Sequence, residues 1–139
     1  MASTMIDALV IDTTDQITSL LLGDNACIQT IDDEVKALNV IDNAASVVVL
    51  LHYNVRKEQT EEYVKLIVNT NAKSKVVVIA DKLDEETVLA CLLAGAQGYQ
   101  SLSGLKQYSN KLLAAMNAGE AWITRRMTAT LLETLRAHK

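Results

Sequence analysis

The chain has 139 residues, half of them hydrophobic, and a formal net charge of −4. That length supports one compact domain and not two, and the apolar content argues against a disordered chain. The acidic balance excludes a free-standing nucleic-acid binder, which needs a basic stripe.

With no Phe, one Trp and four Tyr, the core has to be built from aliphatic side chains. No segment approaches the roughly 18 apolar residues of a membrane helix. The opening "MASTMIDAL" lacks the charged start and long apolar run of a signal peptide. Cys27 and Cys91 fit none of the metal or redox spacings. Each lies in an apolar run ("ACIQT", "LACLLAG") that is expected to bury it. The reading is a cytoplasmic chain with reduced thiols and no membrane association.

Strand and helix signals then alternate. "MIDALVI" (5–11) is an apolar run of strand length ending in "DTTD". "TTDQITSLLLG" (13–23) sets Ile17, Leu20 and Leu21 at helical spacing and stops at Gly23, with Asp15 capping or beginning the helix. "ACIQTI" (26–31) alternates like a strand with one wet face. "DDEVKALNVID" (32–42) opens with acids that suit a helix N-terminus and spaces Val35, Leu38 and Ile41 by three.

"SVVVLL" (46–51) is apolar on both faces. "TEEYVKLIVN" (60–69) puts Tyr63, Leu66 and Ile67 on one helical face. "KVVVIA" (75–80) is a second strand apolar on both faces. "DEETVLACLLAG" (84–95) has Asp84 as its N-cap and Gly95 just past its last turn. Its "DEE" is read as helix N-terminal charge, since nothing partners the acids as a catalytic pair. "AQGYQSL" (96–102) is a fifth strand, and "GLKQYSNKLLAAMNAG" (104–119) an amphipathic helix through Leu105, Tyr108, Leu112 and Met116. After Gly119, "EAWITRRMTATLLETLRAHK" spaces Met127, Leu131 and Leu135 by four, a sixth helix beyond what the sheet needs.

Five strands alternating with helices imply βαβ units and a parallel sheet. Strands apolar at consecutive positions need both faces covered, as in a doubly wound α/β fold. Ligands of such sheets bind outside the carboxyl ends of the strands. Here those ends are Asp12-Thr13, His52-Tyr53, Ala80-Asp81 and Ser101-Leu102. No Gly-rich loop stands at the first strand–helix junction, which sets aside dinucleotide and P-loop readings.

The stretches "KVVVIADKLDEETVLACLLAGAQGYQSL" and "LLAAMNAGEAWITRRMTATLLETL" resemble the receiver domain of response regulators of the NarL/FixJ (LuxR-type) class. The N-terminal half follows in outline through "DALVID" and "SVVVLL". The resemblance implies a three-layer CheY-like (flavodoxin-like) fold with strand order 2-1-3-4-5 plus an extra C-terminal helix. It also implies a receiver-like domain over 1–121 and a linker or dimerisation helix over 122–139, leading in many relatives to a helix-turn-helix absent from this chain.

In the class, two acids after the first strand hold Mg²⁺, and a third-strand aspartate is the nucleophile for phosphoryl transfer. A hydroxyl residue ending the fourth strand and a lysine ending the fifth steady the phosphoryl group. Carried over, Asp12 matches the first acid and Thr13 stands at the second. The nucleophile position falls on His52, or on Leu51 with a shift of one. Ala80 replaces the hydroxyl residue and Leu102 the lysine.

Aspartyl phosphorylation is therefore expected to be absent, and the domain reads as a pseudo-receiver with no catalytic residue and no cofactor. Asp12 with backbone oxygens, even with Asp15 nearby, makes a poor Mg²⁺ site. His52 reads as a hydrogen-bonded histidine in the relic of a pocket, since His138 lies in the tail and Leu102 supplies no cation.

The leading functional expectation is a phosphorylation-independent regulatory domain of a transcription regulator. It would act as a homodimer through its C-terminal helices or through a protein partner, with DNA reached only by a domain outside this chain. A second reading is cyclic di-GMP sensing: "WITRR" resembles the W-[FLM]-[TS]-R motif of some LuxR-type biofilm regulators, matched by Trp122, Thr124 and Arg125 with Ile123 departing, and the resemblance implies stacking and guanidinium contacts to a guanine nucleotide. A stand-alone adaptor is third, and an enzyme the weakest.

Overall fold

The computed structural model describes residues 6–21 and 26–137. Five parallel strands, β1 (Ile6–Ile11), β2 (Ala26–Ile31), β3 (Val47–His52), β4 (Ser74–Ala80) and β5 (Gly98–Ser101), form one sheet in the order β2-β1-β3-β4-β5. Six α-helices accompany them among the described residues: α1 (Gln16–Leu20), α2 (Glu34–Asn43), α3 (Thr60–Thr70), α4 (Glu85–Ala94), α5 (Leu102–Asn117) and α6 (Arg125–Ala137). This is the three-layer CheY-like arrangement, with α6 as the additional C-terminal helix. The anticipated stop at Gly23 lies outside the described residues.

The alternation of each strand divides the core into two halves. Leu9, Ile11, Val49, Leu51, Val76 and Val78 face the layer of α2, α3 and α4. Ala8, Val10, Val48, Leu50, Val77 and Ile79 face α1 and α5, where they meet Ile17, Leu105, Leu112 and Met116. β3 is buried at all six positions, which explains why its sequence is apolar without a break.

The helix ends follow local chemistry. Asp33 caps α2 by accepting from the N–H groups of Val35 and Lys36, and Asp84 caps α4 through the N–H of Thr87, as its position before "EETVLA" implied. α4 closes on Gly95 at φ 124°, with Ala96 N–H on Cys91 O and Gly95 N–H on Leu92 O. This is the paired bonding of a Schellman motif.

The helical faces differ from the expected spacing in detail. Val35 and Leu66 are exposed, whereas Ala37 and Ile41 of α2 and Tyr63, Val64 and Ile67 of α3 point inward. In α5, Ser109 and Leu113 join Leu105, Leu112 and Met116 in the core, and Tyr108 is exposed. α6 buries Met127 against the domain and half-buries Leu131, but Leu135 is exposed.

Cys91 is buried as anticipated, but Cys27 is exposed and both thiols are unpaired. β2 is an edge strand, and Cys27 borders a hollow of about 460 Å³ shared with Asp7 and Asn43. No described helix is long and apolar enough to cross a membrane.

Candidate functional site

The carboxyl ends of β1 and β3 lie side by side, because Ile11 pairs with Leu51. The next residues, Asp12 and His52, both continue the α1/α5 side of the sheet, and each is 1 % exposed. Leu51 faces the opposite layer and is fully buried, so of the two positions considered for the nucleophile only His52 stands at the strand mouth.

Asp12 turns its carboxylate onto the start of α1. Its Oδ1 accepts from the Thr14 N–H at 2.8 Å and from the Thr14 hydroxyl at 2.6 Å, and its Oδ2 accepts from the Ile17 N–H at 3.1 Å. Three donors thus converge on this one group. Burial pushes its pKa upward, but the hydrogen bonds from Thr14 and Ile17 outweigh that and leave it below the ordinary carboxylate value. Asp12 is therefore a helix cap held as an anion.

The expectation for Asp15 holds only in position. It stands at the N-cap of α1 with φ 62°, but its side chain makes no capping bond. The left-handed turn aims it outward, and Asp12 does the capping from five residues before Ile17. Thr13 is exposed beside it.

His52 is held at both ring nitrogens. The Asn54 N–H donates to Nδ1 at 3.0 Å, so the ring proton resides on Nε2, which donates to Gln16 Oε1 at 2.8 Å. Burial lowers the imidazole pKa, against the opposing charges of Asp12 and Asp81. The ring is thus neutral at pH 7, and protonating Nδ1 would break the bond from Asn54. Gln16 and Thr14, which complete this cluster, were not singled out from the sequence. Their polar types gave no signal, since Gln16 meets His52 only across 36 residues of chain.

The two remaining positions carried over from the family are apolar. Ala80 presents a buried methyl group, and Leu102 is packed into the α1/α5 core at the start of α5. Among the described residues, no group of three or more His, Cys, Asp or Glu side chains is placed to hold a metal ion.

The "WITRR" segment lies elsewhere, on the outer edge of β5. Trp122 makes a one-residue parallel bridge with Gly98, and its indole N–H donates to Gln100 Oε1 at 2.9 Å. The Thr124 hydroxyl accepts from the Met127 N–H at 3.1 Å and so caps α6. Trp122 and Thr124 border a cleft of about 560 Å³ with Tyr108 and Lys111, and Arg125 does not line it. Of the three side chains proposed for a guanine nucleotide, half-buried Trp122 and exposed Thr124 each hold a hydrogen bond within the protein, and Arg125 is exposed.

No family model and no curated protein matches the chain. Solved structures do. The isolated receiver domain of RcsB from Salmonella enterica serovar Typhimurium is 16 % identical with a TM-score of 0.74, covering 92 % of this chain and 98 % of that one. A LuxR family two-component response regulator from Aurantimonas gives 15 % identity and a TM-score of 0.74, over 95 % of this chain and 98 % of that one. CheY4, a chemotaxis response regulator of Vibrio cholerae, gives 18 % and 0.68, over 81 % and 99 %. By strand order, layers and these likenesses, the chain has the fold of response regulator receiver domains.

Proposed function

We propose that the chain is a regulatory module on the receiver fold that takes no aspartyl phosphate and acts by contact with other proteins. The observation that carries this reading is His52, buried where the family's nucleophile would stand and held neutral between Asn54 and Gln16. Its Nε2 donates its proton to Gln16 and its Nδ1 lone pair receives the Asn54 N–H, so neither nitrogen is available as a nucleophile. Around it, Ala80 cannot hydrogen-bond a phosphoryl oxygen and Leu102 cannot neutralise one.

Contact is served by the opposite end of the chain. α6 lies against α4 and leaves Leu132 and Leu135 exposed, at 47 % and 52 %. Three residues apart on one helix, they share a face and suit a second copy of the chain. In this reading the module belongs to a transcription regulator, and DNA is reached by another domain.

Incubation with acetyl phosphate and Mg²⁺ followed by intact mass measurement tests the first part. The expected result is an unchanged mass. An acid-labile phosphoryl adduct would overturn the proposal.

A further inference from the structure

We infer that residues 121–137 form a releasable arm whose catch is Trp122. The arm leaves α5 at a finished helix end. Glu120 N–H reaches Ala115 O at 2.9 Å and Gly119 N–H reaches Met116 O at 3.0 Å, so α5 is closed without help from the arm itself. Gly119 has φ 81° and nothing within 4 Å of where a Cβ would be, which leaves the turn unobstructed.

The catch is a single residue fastened to the sheet edge. Trp122 N–H donates to Gln97 O at 2.9 Å, and Tyr99 N–H donates to Trp122 O at 3.1 Å. The indole N–H bonds to Gln100, and the ring meets Tyr108 edge-on at 6.4 Å between centroids. This close approach depends on Gly98, because a Cβ there would lie 2.7 Å from both the Cβ and the carbonyl oxygen of Trp122.

Elsewhere the arm is lightly held. The cleft of about 560 Å³ flanks it on one side and a hollow of about 310 Å³ on the other, both bordered by Tyr99, Ile123 and Thr124. On either side of Met127, α6 is tied to α4 by Glu85, which pairs with Arg126 at 3.2 Å and accepts from the Thr130 hydroxyl at 3.1 Å. The Arg126 side chain is 84 % exposed, so that pair is weak. Segments with few buried contacts open below the global unfolding free energy.

The state of the catch is carried inward by Gln100. Its Oε1 receives the indole proton, and its Nε2 donates to Ser101 O at 3.0 Å. Ser101 directly precedes Leu102, so the arm is joined to the strand end beside the altered pocket. Release frees the Gln100 amide and uncovers Met127 and the hollow beneath α6.

The chain's one tryptophan makes the catch observable. Hydrogen exchange and urea titration would be run on the wild type and on the L132E/L135E variant, so that self-association cannot protect α6. In both proteins, indole emission is expected to shift to the red before far-UV circular dichroism is lost, and peptides from 121–137 to exchange on the order of tenfold faster than those of β1, β3 and β4. In G98A, red-shifted emission and rapid exchange of α6 should appear without denaturant, with the sheet still protected.

Coincident transitions and equal exchange in the wild type would overturn the inference, as would a G98A protein whose α6 stays protected. If G98A fails to fold, the wild-type comparison decides alone. None of these outcomes depends on phosphorylation.

Discussion

Gln16 Oε1 and His52 Nε2 meet at 2.8 Å across 36 residues of chain, joining the first turn of α1 to the end of β3. The Asn54 N–H on the other ring nitrogen fixes the direction of that bond. The consequence is a neutral, immobilised imidazole where a receiver of ordinary chemistry carries its acceptor carboxylate.

His52 gives the fold a pH-dependent stability. Burial sets its folded pKa below the ordinary 6.5. Below that ordinary value the unfolded chain binds a proton that the folded chain does not, so stability falls as pH drops from 6.5 toward the folded pKa. Above pH 7 both states are neutral and the contribution is flat. Urea unfolding of the wild type and H52Q between pH 7 and 5 should show a steeper loss in the wild type; parallel curves would contradict the assignment.

Asp12 should behave as a structural cap. D12A leaves the Ile17 N–H and the two Thr14 donors without their acceptor, and a buried unsatisfied donor costs about 1–3 kcal/mol. A destabilisation of about 2 kcal/mol is expected in urea at pH 7, diminishing below pH 3.8, where the unfolded carboxyl is protonated and the folded anion's advantage is lost. An unchanged midpoint would show that the cap carries no weight.

Restoring the family's acid alone should not restore its chemistry. H52D sets a second carboxylate beside Asp12 in a buried place, with Ala80 and Leu102 still unable to hold a phosphoryl group. Like charges in such proximity resist joint ionisation, so the variant should lose about 2 kcal/mol at neutral pH, less in acid, and gain no acid-labile adduct from acetyl phosphate and Mg²⁺. An adduct would mean that the missing nucleophile was the only defect.

The proposed dimer is tested by Leu132 and Leu135. Both are exposed in the single chain, so L132E/L135E should leave thermal unfolding within about 0.5 kcal/mol of the wild type. Sedimentation equilibrium should show the wild type associating and the double variant monomeric. A monomeric wild type at the highest soluble concentration would remove the dimer proposal and leave the partner-binding form.

The element order and its parallel sense were legible in the residues, because "VVVLL" and "VVVIA" have no polar position to give to solvent and so demand cover on both faces. The end of α4 was equally legible, since Asp84 and Gly95 do their work through bonds to residues within five positions of themselves. The proposal that the domain takes no aspartyl phosphate starts from the residue types at Thr13, His52, Ala80 and Leu102, which are legible without the structure. Helical faces were less so: Val35, Leu66 and Tyr108 have apolar character and the right spacing, but adjacent layers cover the helix a residue or two around from them.

What only the tertiary structure decided is where the remaining polar groups went. Asp12 caps α1 in place of Asp15 because a left-handed turn at Asp15 aims that side chain away. Trp122 belongs to the sheet edge because Gly98, 24 residues earlier, lets its backbone approach. Strand and helix periods are written locally, over a few residues, and the sequence by itself determines them. A hydrogen bond between Gln16 and His52, or between Gln100 and Trp122, exists only once packing has brought distant positions within 3 Å.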